Sequence, residues 1–167
     1  MSVSTDKLKE LRELSGAGIM ACRNALVDAD HDMAKAMEIL KLQNVFIVDK
    51  KKERATSQGL VEAYVHTGGR VGALVELNCE TDFVARTDEF KELAHNLAMQ
   101  ITAMPPRFIS EESLPEGEEI VLAEECLLFQ PYIRDLNVTV QDLINETIAK
   151  VGENIRVSRF ARFELGG

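Results

Sequence analysis

Residues 1–48 carry apolar positions spaced by three and four, which is the period of amphipathic helices. Leu8, Leu11 and Leu14 mark a first helix, and a turn containing Gly16 and Gly18 follows it. Two more stripes predict a second and a third helix, so we predict a small bundle of three helices. The second stripe is Ile19, Cys22, Ala25, Leu26 and Ala29, and the third is Met33, Ala36, Met37 and Leu40.

Residues 49–58 form a charged segment that nearly lacks large apolar side chains. It contains three consecutive lysines, Lys50, Lys51 and Lys52, followed by Glu53 and Arg54. We interpret it as a solvated linker, with an extension of the third helix as one alternative and a phosphate-binding patch as another.

From residue 59 onward the period changes to two, which is typical of half-buried strands. Val61, Ala63 and Val65 alternate with polar neighbours, and the Gly-Gly pair in residues 67–70 predicts a hairpin into a second strand over residues 71–78. Helical spacing then returns over residues 88–104, after an N-cap candidate at Thr87 and before two prolines.

The last part of the chain predicts two helices and a strand. A short helix is expected within residues 118–129, and a longer one over residues 139–151 with a capping box formed by Thr139 and Asp142. The final strand places one set of alternating residues on a single face: Ile155, Val157, Ala161, Phe163 and Leu165. Residues 59–167 therefore predict an α+β core domain, with about three antiparallel strands packed by helices on one face.

Composition narrows the classes of function. The formal net charge of −9 over 167 residues argues against direct binding of nucleic acid, which needs a dominant basic surface. No apolar run approaches about 18 residues, so we expect no membrane span. Three widely spaced cysteines suit a reducing cytoplasm better than a disulfide framework.

Catalytic and metal-binding patterns are absent from the sequence. His31, His66 and His95 lack the spacing of a metal site, and no glycine loop for phosphate is present, so we expect no catalytic residue, metal or cofactor. Cys79 is a candidate nucleophile if His66 or His95 activates it. A small buried residue at the end of a strand is the favoured interpretation of this cysteine.

One stretch stands out at the change from strand to helix. The junction segment (Thr81, Asp82, Phe83 and Val84) places a phenylalanine among polar residues between the second strand and the next helix. This ring either fills the protein's own core or is offered to a partner.

Residues 76–86 (ELNCETDFVAR) resemble the second signature of the bacterial elongation factor Ts family, and residues 11–26 (LRELSGAGIMACRNAL) resemble the first. Residues 128–135 (LFQPYIRD) and 152–166 are similar to further family stretches in the same order. Three departures accompany the resemblance. Arg23 replaces the usual lysine, Tyr132 replaces the usual phenylalanine, and residues 116–127 are shorter than the helical insert of most relatives.

The resemblance implies a guanine nucleotide exchange factor that acts on GDP-bound elongation factor Tu and belongs to no enzyme class. It implies a ubiquitin-associated-like bundle, a partner contact through Gly18, Ile19, Met20 and Arg23, and a homodimer as one possible state. It also implies that Thr81, Asp82, Phe83 and Val84 disturb the Mg²⁺ site of the GTPase. Two alternatives stay open, namely an adaptor that docks a partner through the bundle without exchange, and a thiol enzyme using Cys79.

Overall fold

The computed structural model describes residues 3–167, which form a helical bundle followed by a mixed core, so the predicted α+β class is confirmed. Two 3₁₀ turns, Glu111–Ser113 and Leu127–Phe129, interrupt the loop region of the core. The helices are α1 (Thr5–Ser15), α2 (Ile19–Asp28), α3 (Met33–Lys51), α4 (Asp82–Ala85), α5 (Asp88–Ala103), α6 (Leu122–Glu125) and α7 (Val140–Val151). The strands are β1 (Gln58–Val65), β2 (Val71–Cys79), β3 (Pro131–Tyr132), β4 (Asp135–Thr139) and β5 (Ile155–Glu164).

The bundle has its own small core, and its membership corrects two predicted positions. Leu14 and Ile19 were expected in helix stripes, yet both side chains are exposed at the turn between α1 and α2. Ser15 takes the inward place at the end of α1, because its small hydroxyl lies 3.6 Å from the sulfur of Cys22 and permits close packing. The buried members of the bundle are Leu11, Cys22, Ala25, Leu26, Ala29, Ala36 and Leu40.

Helix α3 continues to Lys51 and enters the segment that we interpreted as a linker. Val48 packs against the core of the following domain, and the Lys51 ammonium donates a hydrogen bond to the carbonyl oxygen of Gly152. Residues 49–51 are therefore helical, as the alternative of a helix extension predicts, while the side chains of Asp49 and Lys50 are exposed. The physical reason is that α3 packs along α7, which favours continued helix over free chain. The division of the chain at residues 48 and 58 stays a prediction.

The core sheet has the predicted three antiparallel strands, in the order β1-β2-β5. The hairpin between β1 and β2 turns at Gly68 and Gly69, whose φ angles of 94° and 68° lie in the region that glycine adopts without strain. Helix α5 covers the inner face of β1 and β2, and α7 packs against α5. Central residues of this core include Val75, Leu77, Phe90, Leu97, Ile101, Val140 and Ile148.

Strand β5 contains a bulge, and the residues after it face the side of the sheet opposite to the predicted one. Val157 pairs with Leu77 while Arg159 pairs with Glu76, so Ser158 is left over and the alternation reverses. Residues before the bulge face the core as expected, whereas Phe160 replaces Ala161 as the inward residue after it. Ala161 and Phe163 consequently lie on the exposed face of the sheet, where the strict period of two did not place them, and Leu165 lies in the turn after β5.

The predicted helix termini carry the expected caps. Thr87 accepts a hydrogen bond from the Phe90 amide at 3.3 Å, and Thr139 and Asp142 form the predicted capping box of α7. Gly152 ends α7 in a left-handed conformation with a φ angle of 77°. Across residues 3–167, no helix is both long and apolar enough to cross a membrane.

Candidate functional site

The junction segment forms a single helical turn, α4, between β2 and α5. Thr81 caps this turn, with its hydroxyl oxygen 3.5 Å from the Val84 amide, and Thr87 caps the next helix. Two caps within seven residues fix the chain direction twice in succession, because each cap satisfies an amide that the helix leaves free. The turn is therefore a defined projection at the end of the sheet.

Phe83 and Val84 are adjacent in sequence but have opposite environments. The Phe83 side chain is 79% exposed, whereas Val84 is 8% exposed and belongs to the core cluster. Val84 anchors the turn, and the anchor directs the neighbouring ring outward. Of the two roles left open for the ring by the sequence, the structure selects presentation to solvent over filling the core.

Charged side chains accompany the exposed ring on the same turn. Asp82 and Arg86 form an ion pair with 2.8 Å between carboxylate oxygen and guanidinium nitrogen. Both partners are largely exposed, so the pair adds little to stability and can exchange partners. The turn thus offers an apolar ring together with a carboxylate and a guanidinium.

A hydrogen-bond network holds the base of the turn from the loop after α7. The Glu153 carboxylate accepts from the Thr81 amide at 3.0 Å and from the Thr81 hydroxyl at 2.6 Å. The Asn154 amide donates to Glu80 at 2.7 Å. No sequence pattern identifies Glu153 and Asn154 as site residues. The pairing of Cys79 with Ile155 brings them to the turn, and no local motif signals that pairing.

The second set of predicted partner residues lies on the bundle. Gly18 is the extended N-cap of α2, with open space around its α-carbon, and Ile19 and Met20 in the first turn are 53% and 59% exposed. Arg23 is also exposed one turn further along α2. The structure therefore groups these four residues at the start of one helix of the bundle, whereas the junction segment belongs to the core domain.

Cys79 has the environment of a structural cysteine. Its buried thiol donates a hydrogen bond to the Thr81 carbonyl oxygen at 3.1 Å. Burial, followed by the charge of Glu153, raises the pKa of Cys79 to about 11. The thiol stays protonated at neutral pH, whereas a nucleophile requires the thiolate. The two candidate bases have other partners, since His66 contacts Tyr64 and His95 contacts Glu62.

Arg107 links two glutamates of the shortened segment. Its guanidinium lies 2.6 Å from Glu118 and 2.7 Å from Glu125, and the hydrogen bond from Arg107 lowers the pKa of the Glu125 carboxyl.

Within the described part of the chain, no group of three or more histidine, cysteine, aspartate or glutamate residues is arranged to hold a metal ion.

Comparison with known proteins identifies similar chains over nearly the full length. A family model described as Elongation factor TS matches residues 4–125. The chain is 48% identical to Elongation factor Ts of Thermotoga neapolitana over 194 aligned positions, which cover 99% of this chain and 98% of the relative. It is 47% identical to the Thermotoga maritima protein with the same coverage. It is 48% identical to the Rippkaea orientalis protein, covering 98% of this chain and 78% of the relative.

Proposed function

The chain belongs to the elongation factor Ts family, whose members are nucleotide exchange factors for elongation factor Tu, and we propose that it binds the GDP-bound form of this GTPase and promotes GDP release. Nucleotide exchange requires no covalent bond to the exchange factor, which agrees with the buried and protonated state of the Cys79 thiol. We also propose that it acts in the cytoplasm, where its three free cysteines would stay reduced.

The observation that carries the proposal is the exposed ring of Phe83 on an anchored turn. Leaving such a ring in water is unfavourable, and burying it in an apolar slot yields roughly 1.5–3 kcal/mol. That energy favours the conformation of elongation factor Tu that accepts the ring. If this conformation binds GDP weakly, the nucleotide leaves, and bound nucleotide weakens the factor's grip by the same factor.

Asp82 gives the turn a second way to act on the nucleotide. We assign disturbance of the Mg²⁺ site to the junction segment, with Phe83 and Asp82 entering the GTPase, Thr81 holding the turn and Val84 anchoring it in the core. Mg²⁺ is often the largest local charge beside a phosphate, so its displacement weakens GDP binding. The patch formed by Gly18, Ile19, Met20 and Arg23 would grip the partner separately through its exposed apolar side chains.

The experiment is stopped-flow release of fluorescent GDP from elongation factor Tu at increasing concentrations of the protein. An exchange factor accelerates release to a plateau, whereas an adaptor binds without acceleration. Chelation of Mg²⁺ raises spontaneous release and shrinks the further acceleration if the metal site is the target. Equal acceleration with and without chelator would leave exchange standing and remove the Mg²⁺ mechanism.

The face of the sheet opposite α5 indicates a second property: we propose that this face forms a homodimer interface. Four apolar side chains are exposed on this face, namely Val61, Val65, Leu74 and Phe163, and Leu165 is exposed in the turn that follows β5. A contiguous apolar sheet face of this kind typically marks an interaction site. Sedimentation velocity of the wild type and of Phe163→Asp tests it, with Leu136→Asp on β4 as a matched control that is also highly exposed. A monomeric wild type at micromolar concentration would remove the dimer proposal.

A further inference from the structure

We propose that Glu153 is a positioning residue for Phe83: its carboxylate holds Thr81, and thereby fixes the direction in which the α4 turn presents the ring. The inference rests on the proposed function for its consequence in exchange, while the ordering of the turn is a property of the protein alone.

Glu153 binds two polar groups of Thr81, the backbone amide and the side-chain hydroxyl. Its two carboxylate oxygens accept separately, one from the amide at 3.0 Å and one from the hydroxyl at 2.6 Å. The hydroxyl oxygen faces the Val84 amide at 3.5 Å, a long contact for a cap. The two charge-assisted bonds that Thr81 donates to Glu153 are the shortest hydrogen bonds of Thr81, ahead of the 3.1 Å bond that its carbonyl oxygen accepts from the Cys79 thiol.

The loop that carries Glu153 is itself held in place by the next residue, Asn154. Asn154 donates its amide to Glu80, and its side-chain nitrogen donates to the carbonyl oxygens of Lys52 and Arg54 at 3.3 and 2.9 Å. Arg54 also lies 3.6 Å from Glu80. A carboxylate on a loop with these contacts is held in place before any partner arrives. Pre-organisation of this kind lowers the entropy lost when Phe83 inserts.

Other functions for Glu153 are poorly supported by its contacts. It has no basic partner among the described ion pairs, so it is not one half of a structural salt bridge within residues 3–167. The geometry that remains is the double acceptance from Thr81.

The first test measures the turn without the GTPase. The chain has no tryptophan and two tyrosines, so Phe83→Trp provides a single tryptophan at the position of the ring, which can be excited selectively at the red edge of the absorption band. In this background, Glu153→Ala should lower the fluorescence anisotropy of the reporter, because the base of the turn is released. Glu153→Gln should restore it, since a glutamine oxygen can accept from the Thr81 amide while its NH₂ donates to the hydroxyl. Unchanged anisotropy in Glu153→Ala would overturn the proposal.

The second test measures GDP release in the background that retains Phe83. Glu153→Ala should lower the maximal release rate about tenfold, which corresponds to about 1.4 kcal/mol of activation free energy. The half-saturating concentration should change less than threefold, because the partner surfaces remain, and Glu153→Gln should recover most of the rate. Glu146→Ala on α7 removes a glutamate that pairs with Lys150 of its own helix, and it should change neither quantity.

The outcomes separate this inference from the proposed function. If Glu153→Ala lowers the anisotropy but Phe83→Ala leaves exchange unchanged, the positioning role holds and the proposed function of the ring fails. If Phe83→Ala abolishes acceleration while Glu153→Ala leaves the rate and the anisotropy at wild-type values, the positioning role fails and the proposed function stands.

Discussion

Replacing the two neighbours Phe83 and Val84 by alanine should have opposite consequences. Phe83→Ala should leave the stability of the protein nearly unchanged, whereas Val84→Ala should destabilise it. Both residues lie on the same helical turn, so differences in local helix propensity are small. The contrast therefore isolates burial, which is 79% exposure for Phe83 against 8% for Val84.

The magnitudes follow from the area that each side chain hides from water. Burying a whole phenylalanine is worth roughly 1.5–3 kcal/mol, and only about a fifth of Phe83 is hidden, so its loss costs about 0.3–0.6 kcal/mol. Val84→Ala removes two buried methyl groups at about 0.8 kcal/mol each and leaves a cavity, for a total of about 1.5–3 kcal/mol. At about 2–4 °C per kcal/mol, Val84→Ala should lower the Tm by roughly 3–12 °C.

The assay is urea unfolding followed by circular dichroism, with the slope of the transition compared between variants. A free energy of unfolding for Phe83→Ala lower than wild type by more than about 1.5 kcal/mol would mean that the ring packs within its own chain. The assignment of Phe83 to a partner surface would then be refuted, whatever the exchange rate.

Two further predictions concern the core. Burial raises the pKa of Cys79 from 9.0 to about 11, so the stability from its protonated thiol is complete below pH 9 and is lost as the pH rises through 11. Between pH 8 and 11, the free energy of unfolding measured with urea should fall by about 2–3 kcal/mol more in wild type than in Cys79→Ser. If it falls equally with pH in both proteins, the pKa of Cys79 is not raised. Deleting residues 1–55 removes Val48 and both carbonyl partners of the Asn154 side chain, whereas deleting residues 1–43 keeps them. The core left by the shorter deletion should be about 1–3 kcal/mol more stable than the core left by the longer one. Equal urea midpoints for the two proteins would show that the end of α3 does not stabilise the core.

The regular elements were predictable because their signals are local. The hairpin at Gly68 and Gly69 and the caps of α5 and α7 each depend on residues within a few positions of one another. Strand β5 shows where a local signal ends. Its alternation continues through Ser158 in the sequence, and only the pairing with β2 reveals the bulge that turns Phe163 outward.

The sequence predicts where the candidate site lies along the chain, but it only partly predicts which of its side chains are exposed. The change of period located the junction segment, but the exposure of Phe83 depends on Val84 filling the core from the same turn. Glu153 could not be anticipated, since 72 residues separate it from Thr81 and a single glutamate carries no pattern. The end of α3 could not be located for the same reason. Lysines 50–52 appear solvated by composition, yet Lys51 and the backbone of Lys52 bind residues after α7.

The central claim is that the exposed ring of Phe83 drives GDP out of elongation factor Tu. Its most direct test compares the maximal rate of fluorescent-GDP release for wild type, Phe83→Ala and the control Phe46→Ala, whose ring is 61% exposed on α3. Phe83→Ala should reduce the acceleration about 10- to 100-fold, which is the factor that roughly 1.5–3 kcal/mol implies, and Phe46→Ala should match wild type. A Phe83→Ala protein that is fully folded and accelerates release as well as wild type would contradict the claim.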